Sequence, residues 1–486
     1  MRKMTGIKCS PNLKVLTEEQ ISRIHEASLA ILEKTGIRFD SEDSRNRLVM
    51  AGALMHATRK DVVVFPRPLI EETIAKVPRR VTYYARNPKQ DVVYDGEHTY
   101  PYAGGGDPKI LDFETGRPRP STLEDIEIAS RLGDALEHNH FAANLVMAND
   151  VPPELVTLKT MEAALRNSSK TLSGYATDAK TVEFMVKMCQ CVVGGEEAFR
   201  KRPLLSLASS PSSPLTYAEH VCDVLIRSAE LGVPFSLVPC PIAGETGPMT
   251  LSGSIAQQNA ETLGGLLLMQ AVNPRLVTTY CGRVCVMDPR TGRDLWGVPE
   301  QSLAAAAMVQ VARRYRMVSD VCGMTSDVPR WDVQMGLERM MTVLVPFMAG
   351  ADSVSGIGGA WEGASSLEMM VVDNEIWNDV ERLSRGVVVD DGSLAVDFVD
   401  KVGPMGSFLS LPHTMSAIRK GEFRVSPLWD KRATDKAVRE GVKPLQEAAR
   451  DMARKLLKEH VPEALDRDIL ADIDKVAREA GRQLLG

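Results

Sequence analysis

The sequence has no apolar run approaching the roughly 18 residues of a membrane-spanning helix, although 44% of its 486 residues are hydrophobic. The opening MRKMTGIKCSPNLK carries two early positive charges but no apolar segment after them, so no secretory signal is expected. Cysteine is scarce as well: eight residues scattered from Cys9 to Cys322 do not form the dense disulfide framework of a small secreted domain. These absences predict a soluble, cytoplasmic protein with reduced thiols.

The chain has no excess of positive charge and few aromatic side chains. The net charge is -6 with the two signs interspersed, and aromatic residues make up 5% of the chain. Such a chain offers no basic stripe to neutralise phosphates and few rings on which bases could stack. We therefore expect neither a nucleic-acid partner nor a membrane partner.

Two familiar catalytic fingerprints are also missing. No GxGxxG motif opens a helix, and the Gly104–Gly106 run is followed by Asp107 and Pro108, which is typical of a loop. No GxSxG motif and no Ser-His-Asp ordering supports a hydrolase. The pattern argues against a dinucleotide-binding sheet and against serine hydrolase chemistry.

A zinc-thiolate site is an alternative that the cysteine spacing raises. Cys281 and Cys285 have a C-x-x-x-C spacing, and Cys322 lies in a later strand run. The apolar context RLVTTYC and the lack of a nearby histidine favour buried structural cysteines. No bound metal is expected.

The N-terminal part, residues 1–120, is predicted to be an α+β extension. Thr17 and Gln20 have capping-box spacing at the start of a helical apolar pattern that ends at Gly36. Residues 60–115 then contain the short apolar runs DVVVF, VTYYA and DVVY between Pro, Gly and Asn, which predict antiparallel strands.

From about residue 120, short buried strands alternate with amphipathic helical segments. An eighth strand is placed in SLAVDFV or near GEFRVSP. The rhythm and the length predict a (β/α)8 TIM barrel over residues 121–433. Residues 434–486 are predicted as C-terminal helices, a long one through VREGVKPLQEAARDMARKLLKEH that Pro462 limits and a second short one. The seven clear strands are FAANLVMA, KTLSGYA, PLLSLAS, PFSLVPC, RLVTTYC, MVSDVCG and ADSVSGIG.

In a barrel the active site lies at the carboxyl ends of the strands, which singles out the residues that follow each apolar run. Much of the sparse aromatic inventory falls there. A permanent cation without N–H groups must be held by ring faces and diffuse negative charge, so an aromatic-lined cavity would suit it. Ordinary packing is the alternative for any single ring. The aromatic candidates are Tyr102, Tyr175, Tyr280, Trp296, Trp331 and Trp361.

A D-x-Q-x-x-x-E run follows the sixth clear strand, beside Trp331. Its Asp332 and Gln334 are the predicted catalytic residues, and the carboxylates of the run would balance a cationic substrate. Glu338 lies four residues beyond Gln334 on the same helical face. Helix capping is therefore an alternative to a catalytic role for the polar residues of this run. His413, in GSFLSLPHT, is the histidine best placed to face the cavity, with a backbone-bonded loop histidine as its alternative.

Taken together, several segments resemble the trimethylamine methyltransferase family over nearly the whole chain. That resemblance implies a (β/α)8 barrel, methylamine-type substrates, and cobalamin chemistry carried on a separate corrinoid-binding protein. The segments are AGGGDPKILDFETGRPRPSTLEDI, GETGPMTLSGSIAQQNAETLGGLLLMQAVNP, MDPRTGRDLWGVPEQSLAAAAMVQVARRY, WDVQMGLERM, AGADSVSGIGG, VVDNE and VGPMGSFLSLPHT.

The chain departs from the archaeal trimethylamine members, which use pyrrolysine between the sixth strand and the D-x-Q motif. Here that region reads GMTSDVPRWDVQ, with standard residues only. The likeness is then to the non-pyrrolysine branch, whose characterised members act on glycine betaine and related betaines. It implies methyl transfer from glycine betaine, giving dimethylglycine, to cob(I)alamin. Proline betaine, carnitine, γ-butyrobetaine and a non-catalytic quaternary-amine binding protein are the alternatives.

A betaine also presents a carboxylate, which needs an arginine, a histidine or backbone N–H donors opposite the aromatic face. Arg283, Arg330 and His413 are the candidates, with surface ion pairs as the alternative for either arginine. The corrinoid protein is expected to dock at the barrel mouth. A homo-oligomer through the apolar C-terminal helix or the outer helices is a further expectation.

Overall fold

The computed structural model describes residues 5–78, 80–143, 145–360 and 363–486. Within these ranges, eight strands run parallel in one sheet and a helix follows each of them along the chain. The strands are His98–Ala103, Phe141–Ala143, Thr171–Tyr175, Leu205–Ser209, Phe235–Leu237, Thr278–Gly282, Ser319–Cys322 and Ser353–Ile357. The helices after them are Leu123–Ala135, Val156–Asn167, Ala179–Val193, Glu219–Glu230, Leu251–Val272, Pro299–Tyr315, Val333–Ala349 and Leu367–Ser384.

The parallel strands lie in the sheet in chain order, and the first strand also pairs with the eighth. The first and second strands approach each other as well. His140 N donates to Pro101 O at 2.9 Å, and Ala103 N donates to the side-chain Oδ1 of Asn139 at 2.6 Å. Ile7–Lys8 adds to the first strand in the antiparallel sense. The sheet is therefore curled, consistent with a barrel-like fold in a mixed α/β protein.

All seven strands expected from the sequence are confirmed, but the expected eighth is wrong. SLAVDFV lies in the short helices Asp391–Leu394 and Val396–Val402, and residues 421–427 form no strand. The remaining parallel strand is His98–Ala103, before residue 120. Its short aromatic run has the same texture as the antiparallel strands beside it, so the local pattern does not show which sheet it joins. The division at residues 120 and 433 stays a prediction.

The N-terminal capping box is confirmed. Gln20 N donates to the side chain of Thr17, and the helix Glu18–Ala30 continues through a π-helical turn to Gly36. Gly36 has φ of 70°, and a Cβ there would lie 2.4 Å from Val63 O, so a side chain would not fit. Val62–Val64, in the expected strand run DVVVF, pairs antiparallel with Ile37–Phe39 and Leu54–Met55, two strands that the sequence pattern did not predict.

A second antiparallel pair, Val81–Tyr83 with Val92–Tyr94, fills the amino-terminal end of the curled sheet. The rings of Tyr83 and Tyr94 pack edge-on with centroids 5.4 Å apart, and both belong to one buried cluster with residues of the first two parallel strands. The Tyr83 hydroxyl also hydrogen-bonds Thr279 Oγ1 on the sixth strand at 2.5 Å. The opposite end of the sheet is the one that holds a cavity.

The C-terminal part is helical as expected, but its bounds differ. The expected long helix is divided into Thr434–Glu440 and Leu445–Glu459, because Gly441 has φ of 75° and Pro444 follows it. The final helix, Arg467–Leu484, is longer than expected and buries Ile473 and Ala480 in the core. Among the described residues, no helix combines the length and the apolar character that crossing a membrane requires.

Candidate active site

A cavity of about 630 Å³ lies at the carboxyl ends of the parallel strands. This volume falls within the roughly 300–1,000 Å³ that is usual for small-molecule sites. Seven of the eight strands, or the residues directly after them, supply its wall. These lining residues are Tyr102, Ser173, Tyr175, Ala208, Ser210, Ser236, Val238, Arg283, Asp320, Cys322, Ser355 and Gly356.

The floor of the cavity is organised around Asp320, which is 3% exposed. Its Oδ2 accepts hydrogen bonds from the Tyr102 hydroxyl at 2.6 Å and from Arg283 at 3.0 Å. Arg283 also donates to Ser355 Oγ at 2.8 Å and to the main-chain oxygen of Asp320 at 3.0 Å. The other carboxylate oxygen, Oδ1, is buried with no hydrogen-bond partner in the described part of the chain. The floor therefore holds a fixed carboxylate with one oxygen uncommitted.

Charge and burial keep the donors around Asp320 protonated. Burial opposes the charge on Arg283, but the neighbouring groups together, Asp320 first among them, outweigh burial and hold the pKa of Arg283 above its ordinary value. Burial and then the charge of Asp320 raise the pKa of Tyr102 and that of Cys281 well above their ordinary values. The Cys281 thiol lies 3.6 Å from Asp320 Oδ2. Tyr102 and Cys281 are thus hydrogen-bond donors at neutral pH, not bases or nucleophiles.

Trp296 lies on the cavity wall between two carboxylates. Its Nε1 donates to Asp294 Oδ2 at 2.8 Å, and its backbone N donates to Asp327 Oδ1 at 2.9 Å. Asp327 Oδ2 also accepts from Gly297 N at 2.7 Å. Burial raises the pKa of Asp327 above its ordinary 3.8. An indole ring fixed beside two acidic side chains suits a cation that has no N–H to donate.

Glu338 holds the loop that carries Asp327. Its Oε2 accepts from Ser326 Oγ at 2.8 Å and from Asp327 N at 2.9 Å. Its Oε1 accepts from Gln334 Nε2 at 2.6 Å. Gln334 itself is exposed and outside the cavity lining. The D-x-Q-x-x-x-E run therefore contacts the cavity through the loop that Glu338 supports.

Arg293 is a cavity residue that the sequence does not single out. It lies on an exposed part of the wall, and its guanidinium makes no hydrogen bond or ion pair with any described residue. The neighbouring Arg290 is instead bound to Asp288 through two guanidinium nitrogens. Nothing in RTGRD distinguishes the two arginines, so only the three-dimensional structure identifies the unpaired one.

The structure brings four of the predicted site residues to the cavity: Tyr102, Tyr175, Arg283 and Trp296. Tyr280 is buried in the core, where its hydroxyl donates to Gln258 Oε1 at 2.8 Å. His413 lies in the helix Pro412–Arg419 with its ring centroid 4.8 Å from that of Phe398, and it does not line the cavity. Trp361 lies outside the described residues.

The residues around the D-x-Q motif have structural partners. Asp332 is the N-cap of the helix Val333–Ala349 and accepts from Met335 N at 3.1 Å. Arg330 is 72% exposed and pairs with Asp332 at 2.6 Å. Trp331 packs against the apolar core, and its buried Nε1 has no partner among the described residues. These contacts fit the helix-capping alternative for Asp332, while a catalytic role stays a prediction.

Two cysteines of the zinc-thiolate alternative, Cys281 and Cys285, are buried and do not line the cavity. Cys322 lines it, and so does Cys240, whose thiol is hydrogen-bonded to Cys285; that bond lowers the pKa of Cys240. Across the described ranges, no cluster of three or more His, Cys, Asp or Glu side chains could hold a metal ion. The expectation of no bound metal stays a prediction for metal analysis.

Sequence reasoning also missed Asp320, although a signal was present. Asp320 stands inside the buried strand run MVSDVCG, and a charged residue in a buried strand requires a partner or a function. Asp294 begins the short strand Asp294–Leu295 and Asp327 lies in a loop, and both stand in segments rich in Asp and Arg, where the sequence offers no comparable contrast.

The chain matches a known protein family over nearly its full length. Residues 2–481 match the profile of the family described as trimethylamine methyltransferase (MTTB). The chain is 30% identical to a glycine betaine methyltransferase of Desulfitobacterium hafniense strain Y51, over 98% of each chain. It is 28% identical to a trimethylamine methyltransferase MttB of D. hafniense strain DSM 10664 / DCB-2, over 95% of this chain and 93% of that relative. A crystal structure of the Methanosarcina barkeri monomethylamine methyltransferase (MtmB) matches with a TM-score of 0.47 at 11% identity, over 99% of this chain and 96% of that one.

Proposed function

The chain belongs to the trimethylamine methyltransferase family, and on this premise we propose that it transfers a methyl group from a quaternary amine to cob(I)alamin on a separate corrinoid-binding protein. Glycine betaine is the proposed donor and dimethylglycine the product. A relative named as a glycine betaine methyltransferase supports this donor. So do the standard residues between the sixth clear strand and the D-x-Q motif, in the segment Gly323–Gln334.

The observation that carries the proposal is the pairing of opposite features in one cavity. Trp296, bonded to Asp294 and Asp327, offers a ring face and negative charge to a quaternary ammonium. Arg293 offers an unpaired guanidinium to a carboxylate. A betaine carries both groups, whereas trimethylamine has no carboxylate for Arg293.

The proposed reaction requires little proton transfer by the protein. Bound on its partner protein, cob(I)alamin supplies a strong nucleophile. A quaternary ammonium already carries the positive charge that lets a neutral tertiary amine leave, so no general acid is needed. The task of Tyr102, Asp320, Trp296 and Arg293 is then to bind and orient the donor and to exclude water. The high pKa values of Tyr102 and Cys281 agree with a site that works without a base.

We also propose that the curled sheet is a closed (β/α)8 barrel whose mouth receives the corrinoid protein. The hydrogen bonds between the first and second parallel strands support closure. A cavity of about 630 Å³ fits a small donor, which leaves the corrinoid on the partner. A cytoplasmic location, with no metal held by this chain, completes the proposal.

The experiment is methylation of free cob(I)alamin, followed by its absorbance change. The donors are glycine betaine, proline betaine, carnitine, γ-butyrobetaine and trimethylamine. Turnover with glycine betaine and none with trimethylamine is the expected result. Turnover with a longer betaine instead would correct the donor, and turnover with trimethylamine alone would overturn the quaternary-amine proposal.

A non-catalytic binding protein is separated by the same assay. It would bind glycine betaine in calorimetry yet leave cob(I)alamin unmethylated, also when a corrinoid protein replaces the free cofactor. Metal analysis of the purified protein tests the zinc-thiolate alternative independently, because that chemistry requires one bound zinc per active chain.

A further inference from the structure

Two thiols meet at the cavity wall and take no part in the proposed function. Cys240 follows the fifth parallel strand and lines the cavity, and Cys285 begins the short strand Cys285–Met287 after the sixth. Another short strand, Ile242–Ala243, pairs with Cys285–Met287 and places Ile242 opposite Cys285. This pairing brings Cys240 beside Cys285, and the two side chains are hydrogen-bonded to each other.

The other cysteines of the described chain have different surroundings. The thiols of Cys9 and Cys222 donate to main-chain oxygens at 2.9 Å and 3.6 Å, and that of Cys281 lies 3.6 Å from Asp320 Oδ2. Cys322 lines the cavity but is bonded to no second thiol within the described residues. Cys240 is therefore the cavity thiol with another thiol directly beside it.

The two members of the pair differ in reactivity. The hydrogen bond from Cys285 lowers the pKa of Cys240 against the effect of burial, and the charge of Arg283 acts in the same direction as the bond. The same bond, together with burial, raises the pKa of Cys285. Burial raises the pKa of Cys322 to about 11. Because the thiolate is the nucleophilic form, Cys240 is the reactive thiol of the cavity, and Cys285 keeps its proton.

A small molecule can reach Cys240 through the cavity. Cys240 is half-buried, and the cavity wall includes Tyr175, which is 41% exposed, and the exposed Arg293. Cys285 is fully buried behind this wall. An accessible thiol of lowered pKa next to a second, shielded thiol has the features of a pair that oxidants convert to a disulfide.

We propose that Cys240 is a site of reaction with hydroperoxides and that Cys285 is its resolving partner, so that the pair forms a reversible disulfide. In the first step the Cys240 thiolate attacks one oxygen of hydrogen peroxide. The O–O bond breaks, hydroxide leaves, and Cys240 becomes a sulfenic acid. The sulfur of Cys285 then attacks the sulfur of Cys240, and the S–O bond breaks. The hydroxyl leaves as water with the Cys285 proton, so the two thiols lose the two electrons that the peroxide gains.

The disulfide is expected to act on the cavity floor. Arg283 lies two residues before Cys285 and donates to Asp320 and Ser355. A covalent bond holds two sulfur atoms closer together than a hydrogen bond does, so the segment that carries Cys285 must shift toward Cys240. We expect this shift to disturb the contacts of Arg283 and to weaken binding in the cavity.

The test maps the thiols of the full chain. Reduced protein is treated with hydrogen peroxide, the remaining thiols are blocked with iodoacetamide, and the digest is analysed by mass spectrometry without reductant. A linked pair of peptides that contain Cys240 and Cys285 is expected, lighter than the two free peptides by two hydrogen atoms, and dithiothreitol is expected to separate it. A crosslink between other cysteines in place of this one, or Cys240 and Cys285 recovered as free thiols, would overturn the proposal.

Two variants separate the roles of Cys285, with circular dichroism as the check that each is folded. C285S keeps a hydroxyl donor beside Cys240 but has no sulfur, so peroxide is expected to add oxygen to Cys240 without a crosslink. C285A also removes the donor, so iodoacetamide is expected to label Cys240 about 10-fold more slowly than in the wild type.

The matched control is C191S. Cys191 is half-buried like Cys240, but it lies on the helix Ala179–Val193 and burial raises its pKa. C191S is expected to form the crosslink between Cys240 and Cys285 as the wild type does. In the wild type, iodoacetamide is expected to label Cys240 at least about 10-fold faster than Cys322. Equal labelling of these two cavity thiols would overturn the proposal.

Binding of glycine betaine, measured by calorimetry, tests the effect on the floor, and this step rests on the proposed function. Turnover is unsuitable, because the reductant that maintains cob(I)alamin would also reduce the disulfide. Oxidised wild type is expected to bind about 10-fold more weakly than reduced protein, and dithiothreitol to restore the affinity. Equal affinity in both forms would overturn the effect on the floor. A crosslink in a protein whose reduced form binds no betaine would confirm the thiol pair and count against the proposed donor.

Discussion

The hydroxyl of Tyr102 lies 2.6 Å from Asp320 Oδ2, the same oxygen that Arg283 binds at 3.0 Å. Tyr102 comes from the first parallel strand, Asp320 from the seventh, and Arg283 follows the sixth. Three strand ends that are distant in sequence thus converge on one carboxylate. The two bonds to Oδ2 hold this carboxylate in place on the cavity floor. Its Oδ1 is left without a partner among the described residues.

Replacing Tyr102 by Phe removes one donor to this carboxylate and keeps the ring. A hydrogen bond to a charged group is worth about 1.5–3 kcal/mol, so kcat/KM for the betaine is expected to fall by about 10-fold to 100-fold. Y84F is the control, because Tyr84 is half-buried, contacts Arg202 and does not line the cavity. An unchanged kcat/KM in Y102F, measured with free cob(I)alamin, would remove Tyr102 from the site.

Arg293 is predicted to bind the donor's carboxylate. R293Q is expected to raise KM for glycine betaine by about 10-fold or more, because a charge-assisted hydrogen bond to bound donor is lost, with a smaller change in kcat. R330Q is the matched control, since Arg330 is exposed, paired with Asp332 and outside the cavity lining. Binding of choline, which has no carboxylate, should be insensitive to either change. The opposite order of effects would favour Arg330, as the sequence allowed.

Glu338 is predicted to position the cavity loop. E338A removes the acceptor for Ser326 Oγ and Asp327 N, so kcat/KM is expected to fall by about 10-fold as the loop loses its fixed geometry. Q334A, which removes one bond to Glu338, is expected to have a smaller effect. L337A, on the same helix with its side chain 68% exposed, is the control. If Q334A were as damaging as E338A, Gln334 would act on the donor directly, as the D-x-Q pattern predicts.

The sequence predicts the fold correctly where one pattern repeats. Seven parallel strands were found because each is a short buried run between amphipathic segments. His98–Ala103 escaped because it follows antiparallel strands of similar composition. The sequence pattern does not predict the course of the segment after the helix Leu367–Ser384. Tertiary contacts decide that course, such as those of Arg424 with Asp379 and Glu375.

The candidate site shows a second limit of prediction from the sequence. Proximity to a strand end selected both Tyr280 and Arg283, yet Tyr280 contacts Gln258 on an outer helix while Arg283 reaches the cavity. Successive strand residues face opposite sides, and the cavity is lined by pairs two apart such as Asp320 with Cys322. Alternation within strands would have improved the selection. The unpaired state of Arg293 depends on three-dimensional contacts and has no sequence signature.

Lys170 is predicted to make stability depend on pH. Its Nζ donates to Gly133 O and Leu136 O, each at 2.7 Å, and to Asn139 O at 2.5 Å, where the helix Leu123–Ala135 ends. Burial lowers the pKa of Lys170 to about 7, with the charge of Asp134 acting in the opposite direction. An unfolded lysine has an ordinary pKa of 10.5. Between these two values the unfolded state binds more protons, so this group makes stability rise with pH above about 7.

K170M removes this proton-linked contribution and the three hydrogen bonds. The free energy of unfolding, measured by urea titration, is expected to be lower in K170M. The difference between wild type and K170M should also widen by about 2 kcal/mol between pH 7 and pH 8.5, because one pKa unit corresponds to about 1.4 kcal/mol. K201M, at an exposed lysine, should follow the wild type. Parallel pH profiles for wild type and K170M would mean that Lys170 keeps its proton in the folded protein, held by the three carbonyl oxygens.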